Sequence, residues 1–171
     1  MKKHGFTLIE ILVVIAIIAS LVAMAIPNYL SARQRAQDAK TKSEMGELKN
    51  ALRLYYNDYN RYPPSSGTPG GLGMLKGCGT NEITACPCTA GGSDFATGNA
   101  CANLYMKQIP TAVGSGILYY QTVNGDDFCL EAVLNNKSDA DSTTSQNRCA
   151  SSCGIYCPIV AGSGRYCVCA D

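Results

Sequence analysis

The chain has 171 residues, a net charge of +1 and ten cysteines. That near-neutral balance argues against a nucleic acid or a strongly acidic partner. The cysteines all lie beyond residue 77, and their density points to an oxidising compartment for that part of the chain.

The first element is an apolar run. Phe6 to Ile26 spans 21 residues, interrupted only by Thr7, Glu10 and Ser20. At a rise of ~1.5 Å per residue such a helix is about 30 Å long, the thickness of bilayer hydrocarbon. Glu10 sits near its start, and a charge in a membrane helix costs up to roughly 2.5–3.5 kcal/mol, the value at the helix centre. The carboxylate therefore needs a partner. An ordinary secretory signal has a shorter apolar stretch, about 7–15 residues, and no such carboxylate. A plain single-pass anchor gives the residues around Glu10 no use.

Gly5-Phe6-Thr7-Leu8-Ile9-Glu10 resembles the processing site of type IV prepilins and type II secretion pseudopilins. The resemblance implies cleavage between Gly5 and Phe6 by a prepilin peptidase, N-methylation of Phe6, and pairing of Glu10 with the Phe6 ammonium of a neighbouring subunit. The chemistry suits the residues: glycine fits a protease subsite, and carboxylate and ammonium neutralise each other where an unpaired charge is costly. The resemblance also places the N-terminus in the cytoplasm. A count of basic residues opposes this, with Lys2 and Lys3 before the run and Arg33, Arg35, Lys40 and Lys42 after it. The cysteines favour the orientation that the motif requires.

Helical patterning continues past Pro27. Met45, Leu48, Leu52, Tyr55 and Tyr59 recur at spacings of three, four, three and four, the mark of one amphipathic face, which Ala51 and Tyr62 extend. Pro63 and Pro64 end the helix. A helix from Phe6 to Tyr59 would be roughly 80 Å long. Pro27 has two readings: a benign kink, or a local melting point between Ser20 and Pro27 that lets subunits pack and stretch; the resemblance supports the second. Gly46 is a second weak point and is expected to let the sheet approach closely.

About 110 residues follow the helix, enough for one small domain. They are poor in Leu, Ile and Val, so disulfides are expected to supplement a modest core. Gly116–Val123 and Phe128–Leu134 read as strands around an Asn124-Gly125 hairpin signal, and Arg165–Cys169 as a third. The tyrosines at 55, 56, 59, 62, 119 and 120 read as core. The segments Asp58-Tyr59-Asn60-Arg61-Tyr62-Pro63 and Met106-Lys107-Gln108-Ile109-Pro110 are similar to those of major pseudopilins. The ten cysteines are atypical of that subfamily.

The expected fold is α+β and pilin-like: a long N-terminal helix, its first half transmembrane, packed on a small antiparallel sheet with cysteine-rich loops. The expected divisions are a leader (1–5), a membrane and filament-core helix (6–27), its amphipathic continuation (28–61) and a cysteine-rich extracytoplasmic domain (62–171).

Cys78, Cys86, Cys88, Cys101, Cys129, Cys149, Cys153, Cys157, Cys167 and Cys169 are the disulfide candidates. Their connectivity is open, among about 945 full pairings. Cys167 and Cys169 share a strand face and should bond to different partners. Zinc competes through Cys86-Pro87-Cys88 and Cys149-x3-Cys153-x3-Cys157, which match zinc spacings only loosely. Asp139 and Asp141, near Asn135, Asn136 and Ser138, are weak calcium candidates, since major pseudopilins carry calcium in a comparable loop. They do not match an EF-hand, and a solvated polar loop is the plainer reading. No other cofactor is expected. His4 leaves with the leader, so a processed chain has no histidine for a nucleophile–base pair.

The resemblance, with these observations, implies a non-catalytic pilin or pseudopilin that waits in the membrane and polymerises after processing. The resemblance implies as partners other pilins, a prepilin peptidase, a membrane platform protein and a cytoplasmic assembly ATPase. The alternative is a membrane-tethered cysteine-rich module that binds a ligand or handles metal.

Overall fold

The structure is a computed structural model that describes residues 7–66, 74–89, 92–110, 116–122 and 124–170. The chain divides into two compact units, Met1–Ala36 and Gln37–Asp171. The first helix, α1 (Leu8–Tyr59), contributes to both.

From Leu8 to Ile26 α1 is apolar on every face, Glu10 and Ser20 apart. It runs through Pro27 without interruption, and the Ser20 hydroxyl donates to Ile17 O at 2.7 Å. In the second unit the helix is amphipathic. Met45, Leu48, Ala51, Leu52 and Tyr55 are buried on one face, as the spacing predicts. Asn60, with φ +51, ends the helix in the left-handed conformation that asparagine tolerates, ahead of Pro63 and Pro64. Gly46 does not serve close approach: a Cβ there would meet nothing within 4 Å. Gly77 is where the chain needs glycine. Its φ is +121, and a Cβ would lie 2.8 Å from the Pro63 side chain.

Nine residues of the second unit's irregular-looking stretch form short strands that the sequence does not announce: β2 (Met74–Cys78) with its neighbours β1 (Ser65–Ser66) and β3 (Thr84–Ala85). A second antiparallel pair, β4 (Phe95–Thr97) and β5 (Asn103–Met106), follows. Strands of two to five residues are too short to show an alternating pattern.

The main sheet is antiparallel, in the order β6 (Leu118–Gln121), β7 (Phe128–Val133), β8 (Arg165–Cys169). The expected hairpin joins β6 to β7, with Gly125 at φ +77. Its strands are shorter than Gly116–Val123 and Phe128–Leu134; of the expected residues, Val123 lies outside those described. This sheet has two covered faces. Tyr119, Phe128, Leu130, Ala132 and Val168 join the α1 face in one core. Tyr120, Cys129, Cys167 and Cys169 face a second core with Cys149, Cys153 and Cys157.

The second core depends on a helix that corrects the sequence reading. Of the residues read as a solvated polar loop, Asn135, Asn136 and Ser138 lie in the connection ahead of α2 (Ala140–Cys153), Asp139 is its N-cap, and Asp141 lies in its first turn. The buried residues of α2 are Ser142, Ser145, Gln146, Cys149 and Cys153, a helical spacing written in small polar residues and sulfur. Their polarity has a use along β8. The Ser142 hydroxyl donates to Arg165 O at 2.6 Å, Gln146 Nε2 donates to the same oxygen at 2.8 Å, and Cys167 N donates to Ser145 Oγ at 3.1 Å. Side chains of α2 thus satisfy backbone groups that an end strand of a sheet would otherwise leave unpaired.

Candidate functional site

The assembly segment lies in the first unit. Gly5 and Phe6, the expected cleavage and methylation positions, lie outside the described residues. From Leu8 to Ile26 the large apolar side chains are all exposed, from 46% at Val22 to 83% at Leu8. Full burial of one such side chain is worth about 1.5–3 kcal/mol, so the segment leaves on the order of 10–20 kcal/mol of apolar surface uncovered. That is comparable with the whole stability of a small domain. The helix is long and apolar enough to cross a membrane.

Glu10 is the acidic residue in the first turn of α1. Its carboxylate accepts from Thr7 N at 2.8 Å and from Thr7 Oγ1 at 2.7 Å, while Glu10 N donates to Thr7 Oγ1 at 3.3 Å. This reciprocal pattern is a capping box. The sequence reading gave Glu10 an intermolecular partner and missed this local one, although Thr7-Leu8-Ile9-Glu10 carries the T-x-x-E signature.

In the second unit all ten cysteines pair: Cys78–Cys86, Cys88–Cys101, Cys129–Cys153, Cys149–Cys169 and Cys157–Cys167. Cys167 and Cys169 take different partners, as their shared strand face requires. Three of these bonds tie α2, and the turn after it, to β7 and β8. Cys88, Asp94 and Cys101 bring potential ligand atoms within 4.8 Å of one another. Both sulfurs are spent on one disulfide, however, and zinc takes thiolates. The same holds for Cys86, Cys88, Cys149, Cys153 and Cys157, the other residues of the zinc reading.

Asp139 and Asp141 do converge, around an ammonium. Lys42 Nζ lies 2.8 Å from Asp139 Oδ2 and 2.7 Å from Asp141 Oδ2. Asp139 also caps α2, accepting from Asp141 N at 2.9 Å. The Lys42 bond holds the Asp139 carboxyl below its usual value, against some desolvation. Desolvation works against the Lys42 charge, yet the two aspartates outweigh it and raise its pKa. One turn earlier on α1, the buried Asp38 carboxylate accepts from Asn135 N at 2.7 Å, Asn135 Nδ2 at 2.9 Å and Asn136 N at 2.8 Å. Asp38 and Lys42, one turn apart, therefore fasten α1 to the β7–α2 connection. Sequence reasoning counted Lys42 only as one basic residue and did not single out Asp38; 97 residues separate each from its partner.

The family model described as the prokaryotic N-terminal methylation motif matches residues 1–26. The chain is 38% identical to the type II secretion system core protein G of Aeromonas hydrophila over 86 residues, 50% of this chain and 55% of that protein. It is 43% identical to the type IV wide pilus major component of Thermus thermophilus over 73 residues, 43% of this chain and 56% of that protein. The matches thus span about half the length of these two relatives. A longer match, 32% identical over 137 residues, covers 80% of this chain and 74% of a probable minor fimbrial protein of Dichelobacter nodosus. No solved structure matches the chain. With the methylation motif at its start, an exposed apolar helix behind it and a fimbrial relative matched over most of both lengths, the chain belongs to the type IV pilin and type II secretion pseudopilin family.

Proposed function

We propose that this chain is a structural subunit that polymerises through its N-terminal helix into a type IV pilus-like or type II secretion filament, and that it carries out no catalysis. One observation carries the reading: an apolar segment, exposed from Leu8 to Ile26, with a single carboxylate in its first turn. Lipid covers such a surface in the monomer, and sister helices cover it in a filament. The two environments are similarly apolar, so packing and one charge pair decide the transfer. A prepilin peptidase cuts between Gly5 and Phe6 and methylates Phe6, whose ammonium then meets Glu10 of a neighbour. The N-terminus starts in the cytoplasm, and the disulfide-bonded unit lies outside it. The assembly partners are other pilins, a membrane platform protein and a cytoplasmic ATPase.

In this reading Lys42 supplies the positive charge at Asp139 and Asp141 that calcium would otherwise supply. Calcium then leaves the thermal midpoint of the protein unchanged, whereas a site for the ion raises it.

Co-expression with a prepilin peptidase tests the processing. The chain should lose its first five residues and gain one methyl group, and Gly5→Val should stay full length. A mass matching cleavage after Ala23 or Ala25 instead, the products of a secretory signal, refutes it.

A further inference from the structure

The five disulfides do not share one environment. Cys129, Cys149, Cys153, Cys157, Cys167 and Cys169 are all buried, and so is Cys78, one half of the pair with Cys86. Cys88 and Cys101 are both half-buried, as is Cys86, and Cys86 and Cys88 pack at the edge of the first core. A thiolate must reach a sulfur to open a disulfide, so access separates Cys88–Cys101, and Cys78–Cys86 through Cys86, from the three bonds buried at both ends.

Backbone conformation separates Cys88–Cys101 from Cys78–Cys86. Cys101 lies in the turn that joins β4 to β5, in a short helical turn Asn99–Cys101. Ala100 has φ +53 and Cys101 has φ +59. Two consecutive non-glycine residues thus hold the left-handed conformation, which crowds Cβ against the carbonyl oxygen. Residues in this state persist where the surroundings over-determine them. Here the turn's own bonds are few: Cys101 N to Gly98 O at 3.2 Å and Ala102 N to Asn99 O at 3.3 Å. The covalent tie to Cys88 is the strong restraint on this exposed turn.

The flanking strands have independent anchors. Phe95 is fully buried, Tyr59 Oη lies 3.0 Å from Thr97 Oγ1, and the Tyr105 hydroxyl donates to Asp58 at 2.6 Å. These contacts hold β4 and β5 against α1 whether or not the turn is tied down.

We propose that Cys88–Cys101 is a surface redox switch: a dithiol reductant opens it before any other disulfide, and opening relaxes the Gly98–Ala102 turn while both cores stay folded. A thiolate of the reductant attacks one sulfur, the Cys88–Cys101 bond breaks, and the other cysteine leaves as a thiolate and takes up a proton. The second thiol of the reductant resolves the mixed disulfide. Two electrons and two protons pass from the dithiol to the cysteines, and the reductant becomes a disulfide. Release of the backbone strain adds to the driving force for opening.

The test is a dithiothreitol titration of the full chain in detergent micelles, with alkylation at each step and peptide mass spectrometry. Cys88 and Cys101 should be labelled at a dithiol concentration at least about tenfold below that which labels the six buried cysteines, and before Cys78 and Cys86. The near-ultraviolet circular dichroism of the tyrosine core should be unchanged at that point. Ala100→Gly relieves strain at one position, because glycine adopts positive φ freely. It should raise the concentration needed to open this bond by roughly five- to thirtyfold, with the fold intact. Labelling of the buried cysteines or of Cys78 and Cys86 first, loss of the tyrosine signal together with Cys88–Cys101, or an Ala100→Gly variant that opens like wild type would overturn the proposal. None of these readouts depends on filament formation, so its failure leaves the assembly reading standing.

Discussion

Replacing Glu10 with glutamine separates the capping role seen within the chain from the assembly role proposed for the same carboxylate. Within the chain, Glu10 accepts from the Thr7 amide and hydroxyl at 2.8 and 2.7 Å. Losing such a cap costs about 0.5–2 kcal/mol, and glutamine, which keeps a side-chain carbonyl oxygen, can retain it. Between chains, the carboxylate is assigned to the Phe6 ammonium of the next subunit. Breaking a buried pair by removing one partner costs about 3–5 kcal/mol, because the other charge stays buried. At 1.4 kcal/mol per factor of ten, that weakens each subunit addition by on the order of 10²–10⁴. In the membrane the balance is reversed, since either Glu10→Gln or Glu10→Leu removes a charge that costs up to roughly 2.5–3.5 kcal/mol. Both variants should therefore accumulate as processed, membrane-embedded monomer and form few filaments. The assay is the yield of sheared filaments, counted by electron microscopy at matched protein amounts. Wild-type yield from Glu10→Gln alongside failure of Glu10→Leu would refute the reasoning: Glu10 would then act only as a cap.

Two further predictions concern the second unit. Asp139→Asn keeps a residue able to cap α2 but removes the charge facing Lys42; it should cost about 1 kcal/mol at neutral pH. The pair's contribution is present above the ordinary aspartate range and is lost as pH falls through the lowered Asp139 value. It is also lost as pH rises through the raised Lys42 value, so the wild-type advantage should span about pH 4 to 10 and vanish at both extremes. Thermal midpoints across pH check this, and an advantage that persists in strong acid contradicts it. Tyr55 is fully buried, with a hydroxyl that has no hydrogen-bond partner among the described residues, and burial pushes its pKa up to about 12. Tyr55→Phe should be neutral or stabilising, by up to about 1 kcal/mol in chemical denaturation, whereas a clear loss of stability would mean that the hydroxyl is satisfied.

The sequence disclosed those parts of the fold in which local pattern and burial agree. The α1 stripe from Met45 to Tyr59 is apolar and long enough for its period to show. The strands of the main sheet carry branched and aromatic residues around a turn signal. Helix α2 was hidden because its covered face consists of serine, glutamine and cysteine, which hydropathy does not register. Two signals were nonetheless present: Asp139 as a cap, and Ser142, Ser145, Cys149 and Cys153 at helical spacing. The pairing of Cys129 with Cys153, and of Cys149 with Cys169, follows from α2 lying on the sheet and was unreadable without it. The Lys42 clasp was equally hidden, because its partners meet only in three dimensions. The processing motif was fully legible, being a short contiguous string; its reciprocal Thr7–Glu10 bonds were legible too, had the capping signature been sought.

The most direct test of the account is a filament reconstruction by electron cryo-microscopy from cells that make this chain together with its peptidase and assembly partners. The account predicts that the apolar segment from Phe6 to Ile26 lines the filament axis, that each chain begins at methylated Phe6, and that each Glu10 carboxylate lies within about 4 Å of a neighbour's Phe6 nitrogen, the reach of an ion pair. Filaments with the apolar segment on their outer surface, or a chain that stays in the membrane as an uncut monomer under these conditions, would contradict it.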